Sequence, residues 1–219
     1  MGTVINEKAL TRHMLNSGRV IIERKGDYYW VADGCAMFRL PVTTEAFNDR
    51  TAYPELPDNG QSLHYDGKVK GRTSRVKHGS HVRQGPDLAA IVPLYDRTTD
   101  RMTVTNLIFL GDDGDIRLGY THGRIVPISN QYISLIATMQ SVQFYQHQEH
   151  GPIVVESDDD EPEPVAVIMP LMAPDNSPAL RQIQEIAAAT SASRNDDDTR
   201  RKAKLYDQFT TSWEQMGDR

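Results

Sequence analysis

Six cations, Lys68, Lys70, Arg72, Arg75, Lys77 and Arg83, stand between Asp66 and Asp87 with no carboxylate among them. Cations spaced this closely can neutralise successive phosphates along a nucleic-acid backbone or meet an acidic partner. Only Tyr65 lies near them, so stacking on bases is not part of this chemistry. The bland alternative is a solvated loop that balances acid elsewhere. Two histidine pairs, His78 with His81 and His147 with His150, have a spacing that could suggest zinc. Neither has a thiol or a third ligand beside it, so both read as loop histidines. Asp112, Asp113 and Asp115 around Gly114 suggest calcium, but the glutamate that closes an EF-hand loop is missing, and the stretch reads as a turn. The acidic run Asp158 to Glu161 reads as a hairpin tip. Cys35, the single cysteine, sits in an apolar strand pattern with no histidine next to it, as a structural thiol would. No glycine-rich phosphate loop and no Gly-x-Ser-x-Gly elbow occurs, so no catalytic residue, cofactor or metal is assigned.

These residues need a scaffold, and the composition bounds it. The 219 residues suffice for one domain with an appendage. The chain is 38% hydrophobic, 25% charged and acidic overall, with a formal net charge of −6. Nucleic acid can therefore be approached only through a local basic patch. One cysteine excludes an intrachain disulfide and fits a reducing compartment. No signal peptide opens the sequence, and no apolar run is long enough to span a membrane, so a cytoplasmic location and no membrane partner are expected.

The first element is a helix capped by Asn6, with Ala9, Leu10, His13 and Met14 on one face and a stop at Asn16-Ser17-Gly18. Lys8 and Arg12 belong to it. Strands follow at 19–24, 28–32 and 35–42, with Asp33-Gly34 as a hairpin dipeptide. From 43 to 87 glycine and proline interrupt polar sequence, a loop insertion with short strands around Leu63 to Tyr65. Regular structure resumes at 88–95, 102–110, 116–120 and 123–128. A second helix is predicted over Asn130 to Met139, then strands at 142–146, 153–156 and 165–172. After Pro174 the pattern becomes helical, and Leu205, Phe209, Trp213 and Met216 form an amphipathic stripe that packs on its own domain, self-associates or meets a partner.

A weak repeat runs through this order. Asn6 and its helix correspond to Asn130 and its helix, Val20–Ile22 to Val142–Phe144, Gly26 to Gly151, and Cys35–Pro41 to Val165–Pro170. Each half reads as helix, strand, hairpin strand, strand. The motifs Asn130-Gln131-Tyr132, the strand 142–145 and Val165-Ala166-Val167-Ile168-Met169-Pro170-Leu171-Met172 resemble the closing part of a bacterial DNA sliding clamp. Tyr28 to Gly34 is similar to a strand end that recurs in that family. The Asn–Tyr spacing is one residue shorter here, the chain has room for one clamp-type domain, and the second helix carries no Lys or Arg.

The resemblance implies an α+β fold: one DNA-clamp-like domain over 1–173, made of two helix-plus-sheet halves, with a helical appendage over 174–219. It further implies a non-enzymatic protein that contacts DNA, replication proteins or further copies of itself, of the kind a phage or mobile element would encode. The expected DNA-binding residues are Lys8, Arg12, Lys68, Lys70, Arg72, Arg75, Lys77 and Arg83, and the expected partner-binding residues are Leu205, Phe209 and Trp213. The alternative is an interaction or structural protein that reuses the clamp fold without encircling DNA.

Overall fold

The structure is a computed structural model that describes residues 4–44, 53, 55–66, 82–109 and 114–171. Its first element, α1 (Glu7–Ser17), starts where Asn6 adopts an extended backbone and its side chain accepts from the Ala9 N–H at 3.1 Å. Leu10 and Met14 bury one face of the helix. Gly18, at φ 74°, supplies the left-handed turn that ends α1 and delivers the chain straight into the sheet.

Eleven strands follow: β1 (Arg19–Lys25), β2 (Tyr28–Ala32), β3 (Ala36–Pro41), β4 (Ser62–Asp66), β5 (Val82–Gln84), β6 (Arg101–Phe109), β7 (Ile116–Thr121), β8 (Arg124–Ser129), β9 (Val142–Tyr145), β10 (Ile153–Ser157) and β11 (Pro164–Ile168). They form one sheet in the order β5-β4-β1-β2-β3-β11-β10-β9-β6-β7-β8. Every pairing is antiparallel. The join between the early and late strands is β3 against β11, with Phe38 opposite Ala166 and Met37 opposite Val167.

Both faces of the central strands are covered, which is why β2 and β10 read as nearly unbroken apolar runs instead of alternating ones. One face carries Ile22, Val31, Phe38, Phe144, Val155 and Ile168, packed with Leu10 and Met14 of α1 and with Val126 and Ile128 of β8. The β6-β7-β8 unit therefore curls back over this core. Gly119 of β7 permits the approach: a Cβ there would lie 2.7 Å from the Met102 sulfur and 3.2 Å from Ile128 Cδ1. The opposite face presents Trp30, Met37, Tyr145, Val154 and Val167, over which the segment 88–95 runs as a strap. Ala89 N–H donates to Glu23 on β1, and Tyr95 stacks on Tyr145 of β9. The strap crosses the strands at a steep angle, with Leu88 buried and Leu94 facing outward.

Two expectations are corrected. The fold is not an α+β clamp-like domain of two helix-plus-sheet halves; it is a single, mostly antiparallel sheet in which α1 is the only α-helix longer than one turn among the described residues. The predicted helix Asn130 to Met139 is a single turn, α2 (Asn130–Ile133), followed by an irregular stretch and a short 3-10 turn. The reason is tertiary. Leu135 and Ile136 are both buried, and their backbone turns away to meet the N-terminal residues: Asn6 N–H donates to Leu135 O at 2.8 Å, and Ala137 N–H to Val4 O at 2.7 Å. Continued winding would forfeit those bonds, and Ile136, Thr138 and Ser134 supply little helix propensity to oppose them. The second correction concerns 88–95, predicted as regular strand, which is the strap with a 3-10 turn at Ala89–Ile91. The helical appendage over 174–219 lies outside the described residues.

Candidate nucleic-acid interface

Of the expected DNA-binding residues, Lys8 and Arg12 stand on α1 and Arg83 is in β5. On α1, Lys8 and Arg12 are exposed and four residues apart, so they form one ridge about 6 Å per step along the helix. What turns this ridge outward is the opposite side of α1. Leu10 and Met14 sink into the core, and His13 Nε2 meets Asp33 Oδ2 at 2.7 Å. Asp33 lies in the turn between β2 and β3, so a side chain of the sheet fixes the rotation of the helix.

Asp33 is saturated with partners. Its Oδ1 accepts from the Cys35 and Ala36 N–H groups, both at 2.9 Å, and its Oδ2 also accepts from the Tyr132 hydroxyl at 2.9 Å. Burial by itself would raise the carboxyl, but the bonds from His13, the two backbone N–H groups and Tyr132 outweigh it and hold the pKa below the ordinary aspartate value. The Tyr132 hydroxyl is pushed the other way, first by burial and then by the Asp33 charge. Gln131 lies 3.2 Å from the other ring nitrogen of His13, and the rings of His13 and Tyr132 meet edge to face at 5.5 Å. Thus α1, the β2–β3 turn and α2 are tied at one carboxylate. The dipeptide Asp33-Gly34 was legible as a turn; its carboxylate as a hub was not, because its partners lie 20 and 99 residues away.

Arg19 is exposed at the start of β1, and its Nε donates to His64 Nε2 at 3.2 Å. A guanidinium has no lone pair, so that histidine nitrogen is the acceptor. β1 pairs with β4, Arg19 opposite Asp66, and β4 pairs with β5, Tyr65 opposite Val82. The described residues that flank 67–81, Asp66 and Val82, thus lie at one end of the β4–β5 pair, with Asp66 opposite Arg19. The fifteen residues 67–81 contain Lys68, Lys70, Arg72, Arg75 and Lys77 and no acid. Against a net charge of −6 for the whole chain, their five positive charges leave −11 on the rest. These five side chains lie outside the described residues. Arg83 is in β5, opposite His64. Leu205, Phe209 and Trp213, the expected partner-binding residues, also lie outside the described residues.

A second buried carboxylate sits at the far side of the sheet. Asp100 Oδ2 accepts from the Asp96 N–H at 2.7 Å and meets His147 Nδ1 at 2.8 Å, and Oδ1 lies 3.7 Å from His122 Nε2. Burial raises this carboxyl, yet the Asp96 N–H and the His147 bond and charge outweigh it and hold it low. His147, read as a solvated loop histidine, lies exposed in the loop after β9 and there partners Asp100. Among the described residues no group of His, Cys, Asp and Glu is arranged to hold a metal ion. Cys35, expected to be a buried structural thiol, is exposed at the start of β3. No described helix is long and apolar enough to cross a membrane. No family model matches this chain, and no curated protein or solved structure matches it.

Proposed function

We propose that this is a non-enzymatic DNA-binding protein that acts in the cytoplasm and grips the phosphate backbone through residues 67–83 and the α1 ridge. The observation that carries this reading is the register of β1, β4 and β5. It sets Asp66, the last described residue before the acid-free, cation-rich stretch, opposite Arg19 on β1, while the remainder of the chain is strongly acidic. Charge separated in this way orients the protein on a polyanion, since the acidic bulk is repelled and the basic end attracted. The proposed role is contact, not encirclement, because the two-halves architecture on which a ring would rest is not the one this chain adopts.

The test is a titration with a fluorescent duplex across a salt series. Each phosphate neutralised adds about 0.9 to the slope of log affinity against log salt. Wild type should give a slope of several units. The triple variant Arg72→Glu, Arg75→Glu, Lys77→Glu should bind more weakly, with a slope lower by about 2 to 3. Wild type without measurable binding at low salt, or a triple variant with an unchanged slope, overturns the reading.

A further inference from the structure

Three turns meet around Asp100: residues 96–100, the β7–β8 turn, and the residues between β9 and β10. The β7–β8 turn holds only His122, at φ 49°, and Gly123, at φ 76°, because Thr121 pairs with Arg124. Two successive positive φ angles suit the twist of a hairpin, and asparagine, aspartate or glycine is the usual residue at the first of them. Among the described residues the other non-glycine residue with positive φ is also a histidine, His150 at 61°, in the third turn. The His122 side chain reaches Asp100, with Nε2 3.7 Å from Oδ1. That distance suits an ion pair and is too long for a hydrogen bond, so the contact depends on charge. His147 differs. Its Nδ1 stands 2.8 Å from Oδ2, a hydrogen bond that a neutral ring can also donate.

We infer that His122 is a proton-operated clasp: with a proton on its ring the tip of the β7–β8 hairpin is fastened to residues 96–100, and without that proton the tip is released. Histidine is the side chain that ordinarily changes charge between about pH 5 and 8. Asp100 supplies a charge that stays constant over that range, because its hydrogen bonds hold the carboxyl below its ordinary value. The other charged groups here are His147 on the same carboxylate, Asp96, whose N–H donates to Asp100, and Arg124, which pairs with Glu149 at 2.9 Å. His150 lies 3.9 Å from Glu149. A proton on His147 opposes one on His122, while Arg124 ties the hairpin to the third turn in either state. Release is therefore local, at the tip, with β7 and β8 still paired. Residues 96–100 continue directly from the strap, so the clasp joins the β6-β7-β8 unit to the segment that covers the opposite face. It does not depend on DNA binding.

Amide–water exchange in the full-length chain, measured by NMR at Gly123 and Arg124 and corrected for the intrinsic effect of pH, reads the clasp. Wild type should protect these amides about threefold more at about pH 5.5 than at about pH 8. His122→Asn, whose side chain suits the same backbone, should abolish the difference, and an unaltered melting temperature will show that the variant is folded. Asp100→Asn, which keeps the shape of the side chain and loses its charge, should abolish it as well. His147→Ala should retain it. Equal protection at the two pH values in wild type, an undiminished difference in His122→Asn or Asp100→Asn, or its loss in His147→Ala overturns the proposal.

Discussion

The two buried aspartates, Asp33 and Asp100, solve one problem in two ways. Each carboxylate is withdrawn from water, with 5% and 4% of its side chain exposed, and each accepts bonds that keep it ionised. Around Asp33 the two side-chain partners are themselves inside: His13 is 15% exposed and Tyr132 is buried. Around Asp100 the two histidines face solvent, at 38% for His122 and 57% for His147. A buried charge with buried partners is a rigid tie, because no water can replace a lost bond. A buried charge with exposed partners is forgiving, because solvent can enter where a histidine leaves.

Substitutions can break this comparison. Asp33→Ala leaves the Cys35 and Ala36 N–H groups and the Tyr132 hydroxyl without their acceptor, and should cost about 3 to 5 kcal/mol in urea unfolding, enough to leave little folded protein. Asp100→Ala, whose partners can turn to water, should cost about 2 kcal/mol by the same measurement. If the two losses are equal, burial of the partners is not what separates the sites.

Acid sharpens the comparison. Both carboxyls are held below their ordinary value in the folded protein, so each stabilises it above the unfolded-state pKa of about 4, and that contribution disappears as pH falls through the folded value. Wild-type stability should therefore fall steeply below about pH 4. Asp33→Asn should be less stable at neutral pH and should have a flatter acid limb. Parallel acid limbs in wild type and Asp33→Asn would refute the assignment of that limb.

Smaller effects complete the series. Tyr132→Phe removes one bond to a charged acceptor that keeps three others, and should cost about 1 kcal/mol in thermal or urea unfolding. His147→Ala removes a partner that is more than half exposed and should cost less than about 1 kcal/mol. A larger loss at His147 than at Tyr132 would reverse the ranking of the two sites.

The sequence made some of this legible and not the rest. The α1 helix was readable from the Asn6 cap, the Leu10 and Met14 spacing and the Gly18 stop, all local signals. The strands β1 to β3 were readable from β-branched and aromatic runs, and the short strand around Leu63 was recognised within an otherwise irregular segment, while β5 was not. The helix expected from Asn130 failed because its fate depended on Val4 and Asn6, which offered a competing set of backbone bonds. The strap over 88–95 read as strand because extended backbone and apolar spacing look the same whether the chain lies in a sheet or across one. The basic stretch was visible as composition, but that the residue before it, Asp66, faces Arg19 came from register.

The sequence by itself determined where the charges concentrate, where α1 begins and ends, and which segments are apolar enough to form strands. Those are properties of neighbours in the chain, set by backbone sterics, capping and hydrophobic spacing. Tertiary structure decided which strands meet, that β3 joins β11, that Asp33 gathers His13 and Tyr132, and that β6 parts from β9 after two residue pairs. Each depends on contacts between residues far apart in sequence, whose energies are realised only when the whole sheet assembles and both its faces are covered.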